Sequence, residues 1–298
     1  MTFDDIALQI AKKLQKNYAD QMLLQQTSWW ILEALLGEPK EKLIGQKSFG
    51  LTEEQEQTLA EWLTWLIDKK MPLQYLFGFV PFGDIEILVQ PPILIPRPET
   101  EEWIYGLIQK LHTLSNQELT ILDLCTGSGC IALALADALP TAHIYATDIS
   151  KEALNLASHN AHHTGLINVT FLQSDLFETI PKNVQFDLIV ANPPYIDEAE
   201  WKTLDPSVRD WEDKKALIAD DHGYALIKKI IDEAPAFLNY NEELIYKKIE
   251  NLWLEIGHQQ GKTTKELLKK RGYATIAIQK DLSGKDRVAK ASYANIIS

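Results

Sequence analysis

The first quarter of the chain has apolar residues at helical spacing. One stripe recurs at positions i, i+3, i+4 and i+7 and consists of Leu59, Trp62, Leu63 and Leu66. Thr52 and Gln55 precede this stripe at the spacing of a capping box. Earlier helices are predicted at residues 3–17 and 28–36, the second ending at Gly37. We therefore predict a small helical bundle for this segment.

The pattern changes at residues 76–98, where short apolar runs alternate with turn residues. Gly83-Asp84 and five prolines interrupt these runs, which predicts a β-hairpin followed by an extended linker. A proline-rich stretch between two different periodicities is typical of a domain boundary. We therefore divide the chain into a helical domain at residues 1–75, a hairpin linker at 76–98 and a second domain at 99–298.

The second domain alternates predicted helices and strands. In chain order these are helix 100–111, strand 119–124, helix 130–139, strand 142–148, helix 151–163, strands 168–173 and 186–191, strand 252–257 and helix 262–272. Such alternation predicts a doubly wound α/β fold with a mostly parallel sheet. The last two strands, 273–279 and 287–296, are joined by a turn and predict an antiparallel hairpin. That hairpin completes a seven-stranded sheet and is absent from ordinary dinucleotide-binding folds.

The composition is that of a globular protein with an excess of acidic residues. The chain has 42 acidic and 29 basic residues and a formal net charge of -13. This balance opposes sequence-independent binding to nucleic acid, because the phosphate backbone is itself negative. Only two cysteines occur, which predicts a reducing, cytoplasmic location. The amino-terminal residues lack an unbroken apolar segment, so neither a signal peptide nor a membrane span is predicted.

A glycine-rich turn joins the first strand of the second domain to its helix. Asp123 stands at the predicted strand end, and Gly127 and Gly129 follow before the helix begins. Glycines let the backbone approach a ligand closely, and a helix amino terminus favours negative groups. Asp148 ends the next strand, where a carboxylate can accept hydrogen bonds from both ribose hydroxyls, and Asp175 ends the third. The full dinucleotide spacing is absent, which favours S-adenosylmethionine as the cofactor.

The sequence NPPY at residues 192–195 follows a strand candidate. The Asn192 side-chain oxygen and the Pro193 carbonyl are two acceptors that can hold both hydrogens of an NH2 group. Holding a planar amino group in this way aims its nitrogen at an electrophilic methyl group, which is catalysis by positioning. Pro193 and Pro194 stiffen the turn, and Tyr195 offers a flat face to a planar substrate. The alternative is a turn that only terminates the strand.

Five segments together resemble those of one enzyme family. They are LIPRPETE at 94–101, ILDLCTGSGCIALALA at 121–136, NPPYI at 192–196, LEIGHQQG at 254–261 and SGKDRVA at 283–289. They resemble the HemK/PrmC family, the protein-(glutamine-N5) methyltransferases that modify peptide-chain release factors. NPPY by itself is shared with DNA adenine and RNA guanine methyltransferases. The specific feature is therefore PRPETE before the glycine turn combined with NPPYI after it.

The resemblance implies a class I methyltransferase fold with a helical substrate-recognition domain. It implies that S-adenosylmethionine is used to methylate the glutamine of a Gly-Gly-Gln loop in release factors. Asn192 and the Pro193 carbonyl then match the family's amide-holding pair, and Asp148 matches the ribose acid. We predict Asn192, Pro193 and Tyr195 as catalytic and, with Pro194, as substrate-binding. The predicted cofactor-binding residues are Asp123, Thr126, Gly127, Gly129, Asp148, Asp175 and Asn192.

Three functions compete on the sequence alone. They are a protein glutamine methyltransferase, a nucleic-acid methyltransferase acting on adenine N6 or guanine N2, and a nucleoside-cofactor protein without methyl transfer, such as a dehydrogenase. The net charge of -13 opposes the second, and the third leaves NPPY unexplained. Cys125 and Cys130 lack a matching histidine pair, so no metal site is predicted. A role for Arg97 or Glu99 rests on the resemblance alone, and the connection at 237–250 departs from the family.

Overall fold

The computed structural model describes residues 2–15, 20–47, 50–114 and 118–293. The chain forms two compact units, Met1–Phe77 and Gly78–Ser298. The helices of the first unit are α1 (Phe3–Leu14), α2 (Gln21–Leu36), α3 (Lys40–Leu43), α4 (Glu53–Ile67) and α5 (Leu73–Phe77). Among the described residues, no helix is both long and apolar enough to cross a bilayer.

Local capping determines where the helices of the first unit begin and end. The predicted capping box is present at α4, because the Thr52 hydroxyl accepts from the Gln55 N–H at 3.2 Å and the Gln55 side chain accepts from the Thr52 N–H at 2.9 Å. Gly37 ends α2 in the left-handed region at φ 67°. The core between these helices consists of buried aliphatic side chains, among them Ile10, Leu14, Ile31, Leu32, Leu59 and Leu63.

The predicted start of the second helix at residue 28 was wrong. The structure begins α2 at Gln21, because the Asp20 carboxylate accepts hydrogen bonds from the backbone N–H groups of Met22 and Leu23. An aspartate before an apolar run is an N-cap signal, and it places the start about two turns earlier than the apolar stripe suggested. The end of the helix predicted at 3–17 lies partly outside the described residues.

The second unit contains the remaining elements. Its strands are β1 (Phe79–Phe82), β2 (Ile85–Leu88), β3 (Thr120–Leu124), β4 (His143–Asp148), β5 (Val169–Gln173), β6 (Leu188–Ala191), β7 (Leu252–Glu255), β8 (Ala274–Lys280) and β9 (Asp286–Ser292). Its α-helices are α6 (Pro98–Leu111), α7 (Cys130–Ala138), α8 (Lys151–Thr164), α9 (Glu198–Trp201), α10 (Pro206–Arg209), α11 (Lys214–Leu217), α12 (Asp220–Gly223), α13 (Ala225–Glu233), α14 (Glu242–Tyr246) and α15 (Gly261–Arg271). Residues Asp221 and His222 of α12 have left-handed backbone angles, so this single turn is not a regular helix.

The main sheet has seven strands in the order β5-β4-β3-β6-β7-β9-β8. Strands β3 to β7 pair in parallel, and β9 runs antiparallel to both β7 and β8. The predicted α/β sheet with a terminal antiparallel hairpin is therefore confirmed. The chain proceeds outward from β3 to β4 and β5, and then returns to the other side of β3 as β6. Open α/β sheets bind ligands beyond the carboxyl ends of the strands at such a switch point.

Burial of the strands follows their position in the sheet. Every residue of β6 and β7 is buried, which is why both read as nearly continuous apolar runs in the sequence. The edge strand β5 is only partly buried at its first four positions and exposed at its last. The central strands therefore form a rigid platform, which fixes the positions from which the loops at their carboxyl ends start.

The predicted hairpin is present and packs within the second unit. β1 pairs with β2 antiparallel, from Phe79 opposite Leu88 to Phe82 opposite Ile85. The backbone N–H of Leu88 donates to the Asn160 side chain at 2.8 Å, and the Leu88 carbonyl accepts from the same side chain at 3.0 Å. These two bonds fix the end of β2 to α8.

Helices α9 to α14 were not predicted from the sequence. Most of them are four or five residues long, too short to show a helical period. Aspartates cap them instead, as Asp197 does for α9 and Asp205 does for α10. The connection at 237–250 contains α14 and a bridge between Phe186 and Leu238. The predicted last strand ends at Ser292, and its residues 294–296 lie outside the described part of the chain.

Candidate functional site

The predicted site residues gather at the carboxyl ends of neighbouring strands. β3 pairs in parallel with β4 on one side and with β6 on the other. The glycine turn after β3, Asp148 at the end of β4 and the NPPY turn after β6 therefore lie along one edge of the sheet. This edge is the switch point of the topology.

The glycine turn has a backbone that few residue types adopt. Gly127 and Gly129 have positive φ values of 56° and 85°, and Cys125 has a φ of 59°. A Cβ on Gly129 would lie 3.0 Å from the Ala157 Cβ, so this glycine permits close packing between helices. A Cβ on Gly127 would meet nothing within 4 Å. Gly127 therefore borders open space where a ligand can approach the backbone.

Asp148 is held rigidly by the backbone around it. One carboxylate oxygen accepts from the Gly127 N–H at 2.9 Å, and the other accepts from the Ser150 N–H at 2.9 Å. Burial raises the pKa of Asp148, and the hydrogen bonds from these N–H groups oppose that rise. Each oxygen has further lone-pair capacity, so the carboxylate can still accept from a ligand.

Asp123 is fully buried at the end of β3. Its Oδ2 accepts from the Thr126 hydroxyl at 2.6 Å, whereas no donor among the described residues lies within hydrogen-bond distance of its Oδ1. Burial raises the pKa of this carboxyl to about 7, and the Thr126 hydroxyl and the Ala132 backbone N–H only partly oppose the rise. The predicted residues Asp123 and Thr126 thus act as one pair beneath the glycine turn.

Asp175 lies two residues beyond β5 rather than on the strand. Its Oδ1 pairs with the Lys229 ammonium of α13 at 3.1 Å. Burial raises the pKa of the Cys125 thiol, and the charges of Asp148, Asp123 and Asp175 raise it further. The structure therefore brings the three predicted acids around the same turn, with Asp175 already engaged by a lysine.

The Asn192 side chain follows β6 and has a defined partner. Its Nδ2 donates to the Thr100 hydroxyl oxygen at 3.3 Å. The Thr100 hydroxyl in turn donates to Glu255 at 2.7 Å. Within the described residues, no group donates to Asn192 Oδ1 or to the Pro193 carbonyl. The NPPY turn therefore presents two acceptors without protein partners.

Tyr195 is anchored at both ends. Its hydroxyl donates to Glu255 at 3.3 Å, and its backbone carbonyl accepts from the Gln260 side chain at 3.0 Å. Burial raises the pKa of the Tyr195 hydroxyl, and the nearby negative charge of Glu255 raises it further. A Cβ on Gly223 would lie 2.1 Å from the Tyr195 carbonyl oxygen, so α12 packs directly on this turn. Pro194, the residue before Tyr195, is half-buried.

Sequence reasoning missed the residues that support the NPPY turn. These are Thr100, Trp103, Glu255 and Gln260, all of them buried. Thr100 belongs to LIPRPETE, and Glu255 and Gln260 belong to LEIGHQQG, so the resembling segments were the available signal. The resemblance alone suggested a role for Arg97 or Glu99. In the structure Arg97 pairs with the buried Glu212, and Glu99 is exposed.

The two cysteines lie on either side of the glycine turn. Cys125 and Cys130 are free thiols. In the part of the chain that the structure describes, no three His, Cys, Asp or Glu residues are grouped closely enough to hold a metal ion.

This chain is similar in sequence to one family of known proteins and similar in fold to solved structures. A family model described as a methyltransferase domain matches residues 115–285. A release factor glutamine methyltransferase from Flavobacterium psychrophilum is 37% identical over 239 residues, which cover 79% of this chain and 81% of that protein. One from Fusobacterium nucleatum is 33% identical over 290 residues, covering 97% of this chain and 78% of that protein. The solved catalytic domain of hMettl16 has a TM-score of 0.50 at 17% identity, covering 86% of each chain, and this likeness concerns the fold alone.

Proposed function

The chain belongs to the release factor glutamine methyltransferases, and we propose that it methylates a glutamine side chain in peptide-chain release factors. The second unit has the class I methyltransferase fold. The acceptor atom is the amide nitrogen, N5, of the glutamine in the Gly-Gly-Gln motif. The methyl donor is S-adenosylmethionine.

The residues at the switch point fit this cofactor. The Asp148 carboxylate, which accepts one backbone hydrogen bond on each oxygen, has lone pairs left to accept from ribose hydroxyls, and Gly127 borders open space. The Oδ1 atom of Asp123, which no donor among the described residues reaches at hydrogen-bond distance, is a second buried acceptor on the neighbouring strand. When bound, S-adenosylmethionine supplies an electrophilic methyl group on a positively charged sulfur. The acidic surroundings of the turn favour such a cation.

The observation that supports the reaction best is the orientation of the Asn192 amide. Its NH2 group is used by Thr100, so its oxygen is left to accept from a substrate. The Pro193 carbonyl offers a second acceptor from a buried, rigid residue. Together these two oxygens can hold both hydrogens of one amide NH2. A hydroxyl or thiol substrate has only one hydrogen and would leave one of the two oxygens without a donor.

This pair of acceptors explains how a poor nucleophile reacts. An amide nitrogen has a delocalised lone pair, and accepting both of its hydrogens raises the electron density on nitrogen. Asn192 and Pro193 also hold the amide in one orientation, which removes the entropy cost of positioning from the reaction step. After methyl transfer the nitrogen is strongly acidic, so its proton leaves to water without a dedicated general base.

We assign recognition of the release factor to the first unit. Several of its large apolar side chains are exposed, with Met22 at 80% and Trp30 at 40%. Both line a cavity of about 610 Å³ formed by α1, α2 and α3. Exposed apolar and aromatic side chains beside a cavity are typical of protein-binding surfaces. Remote contacts of this kind supply binding energy that orients the reacting group.

The proposed partner is a cytoplasmic protein rather than a nucleic acid. The net charge of -13 opposes binding to a phosphate backbone. The two free thiols support a reducing compartment as the place of the reaction.

The direct test combines a bacterial-type release factor with methyl-labelled cofactor. The labelled residue is then mapped by peptide mass spectrometry. We expect label on the glutamine of the Gly-Gly-Gln motif and none when that glutamine is replaced. Label on DNA or ribosomal RNA, with the release factor unmodified, would refute the proposal in favour of a nucleic-acid methyltransferase.

The same assay tests the role of Asn192. Asn192→Ala should lower kcat by on the order of 10² to 10³, the usual loss for one preorganised polar group, with little change in cofactor affinity. The matched control is Asn239→Ala, which changes an exposed asparagine outside the site. Equal kcat values for the two variants would remove Asn192 from the mechanism.

A further inference from the structure

A buried carboxylate lies behind the acceptor pair. Glu255, the last residue of β7, is 1% exposed. Its Oε2 accepts from the Thr100 hydroxyl at 2.7 Å and from the Trp103 indole at 2.8 Å. Its Oε1 accepts from the Tyr195 hydroxyl at 3.3 Å. One side chain therefore joins α6 to the NPPY turn.

The direct partners of Glu255 are neutral donors. The two arginines nearby are engaged elsewhere, because Arg97 pairs with Glu212 and Arg287 pairs with Asp281 at 3.0 Å. A buried carboxylate is costly, and well-packed apolar residues often stabilise a core at least as well. What directed hydrogen bonds add is orientation, since each donor can satisfy this carboxylate only from one direction.

The hydrogen bonds run in a single direction from Asn192 to Glu255. The Trp103 indole is a donor only, so Oε2 accepts there and has a lone pair left for the Thr100 hydroxyl. That hydroxyl therefore donates to Glu255, and its oxygen can only accept from Asn192. The atom of Asn192 facing Thr100 must then be Nδ2, which leaves Oδ1 on the opposite side.

We propose that Glu255 and Thr100 are positioning residues that keep the Asn192 oxygen facing the substrate. The inference rests on the proposed amide methylation and adds the residues that orient its acceptor. Without the Thr100 hydroxyl, the Asn192 side-chain amide can flip by about 180° and present its own NH2 to the NH2 of the substrate. In that orientation a donor faces a donor, and the acceptor pair is lost. Glu255 holds the Tyr195 hydroxyl at the same time, so both ends of the turn depend on one carboxylate.

Two substitutions of Thr100 separate this role from packing. Thr100→Val keeps the shape of the buried side chain and removes its hydroxyl, whereas Thr100→Ser keeps the hydroxyl and removes a methyl group. We expect Thr100→Val to lower kcat roughly three- to tenfold, the effect of one hydrogen bond, with unchanged KM for the release factor and unchanged cofactor affinity. Thr100→Ser should keep kcat near that of wild type even where its Tm falls. A residue that acts only through packing would show the opposite order.

A double substitution tests whether Thr100 acts through Asn192. In the Asn192→Ala background, Thr100→Val should have no further effect on kcat, because the group that it orients is already absent. An equal further loss in that background would overturn the proposal while leaving the methyltransferase function intact. Wild-type protein that does not modify the release factor glutamine would instead refute the function itself.

A measurement without substrate tests the inference whether or not the protein modifies the release factor. The side-chain NH2 resonances of Asn192 can be followed by nitrogen-15 NMR in the wild-type protein and in the two Thr100 variants. We expect slow exchange of an Asn192 Nδ2 hydrogen with water in wild type and Thr100→Ser, and faster exchange in Thr100→Val. Identical exchange in all three proteins would overturn the proposed orientation by Thr100.

Discussion

Replacing Asp123 by asparagine tests the electrostatics of the glycine turn. The carboxyl is fully buried, its Oδ2 accepts from Thr126 at 2.6 Å, and its Oδ1 has no donor at hydrogen-bond distance in the described part of the chain. Burial raises its pKa from the ordinary value of 3.8 to about 7. Asparagine has nearly the same shape and does not titrate, so the variant removes the proton equilibrium and little else.

The magnitude follows from the two pKa values. The folded protein keeps this proton up to about pH 7, whereas the unfolded chain releases it near pH 3.8. Raising the pH through that window therefore favours the unfolded state, by about 1.4 kcal/mol for each pH unit. Over the whole window of about three units, wild type loses ~4 kcal/mol that the variant does not lose.

The assay is the difference in Tm between variant and wild type, measured without cofactor from about pH 5 to about pH 7. Asp123→Asn should gain roughly 2 to 3 kcal/mol relative to wild type over this range, or roughly 5 to 10 °C in Tm. Glu99→Gln, which changes an exposed acid of α6, is the control for general charge effects. A Tm difference that stays constant with pH would refute the reasoning.

Three further predictions concern the cofactor, the partner and the NPPY turn. Asp148→Ala should weaken S-adenosylmethionine binding by about 1.5 to 3 kcal/mol in calorimetry, because ribose hydroxyls lose a charged acceptor; unchanged affinity would exclude this role. Trp30→Ala should raise KM for the release factor with kcat unchanged, whereas Trp65→Ala, exposed outside the cavity, should not; equal KM values would place recognition elsewhere. Gly223→Ala should lower Tm more than Gly272→Ala, because both glycines have positive φ but only the first would clash with Tyr195; equal losses would contradict the clash.

Much of the fold could be predicted because its signals are local. A capping box such as that of Thr52 and Gln55 needs only residues three apart, and Gly37 ends α2 through its own backbone angle. Strand and helix periods likewise depend on neighbours, and their alternation was enough to predict a parallel sheet. Parallel strands place their carboxyl ends at one edge of a sheet, so a parallel sheet by itself puts the turns that carry Asp148 and Asn192 on the same edge.

Elements too short to show a repeating pattern of apolar residues could not be predicted, because the signals for helices and strands depend on that repeat. The four-residue helices α9 to α11 are too short to repeat a pattern, and their aspartate caps resemble ordinary turn residues. The left-handed turn at Asp221 and His222 is held by its packing against Tyr195 through Gly223, which no local signal announces.

The sequence by itself determined the longer helices and strands, the mostly parallel sheet with its terminal hairpin and the residue types of the site. Only the tertiary structure decided which side chains orient the residues of the site. Thr100 and Glu255 are 155 residues apart, and Asn192 lies 92 residues from Thr100, so their contacts form only when α6, β6 and β7 are packed together. A hydrogen bond needs donor and acceptor within about 3 Å, and chain neighbours say nothing about such distances between remote segments. The direction of the Asn192 amide is therefore a property of the assembled sheet.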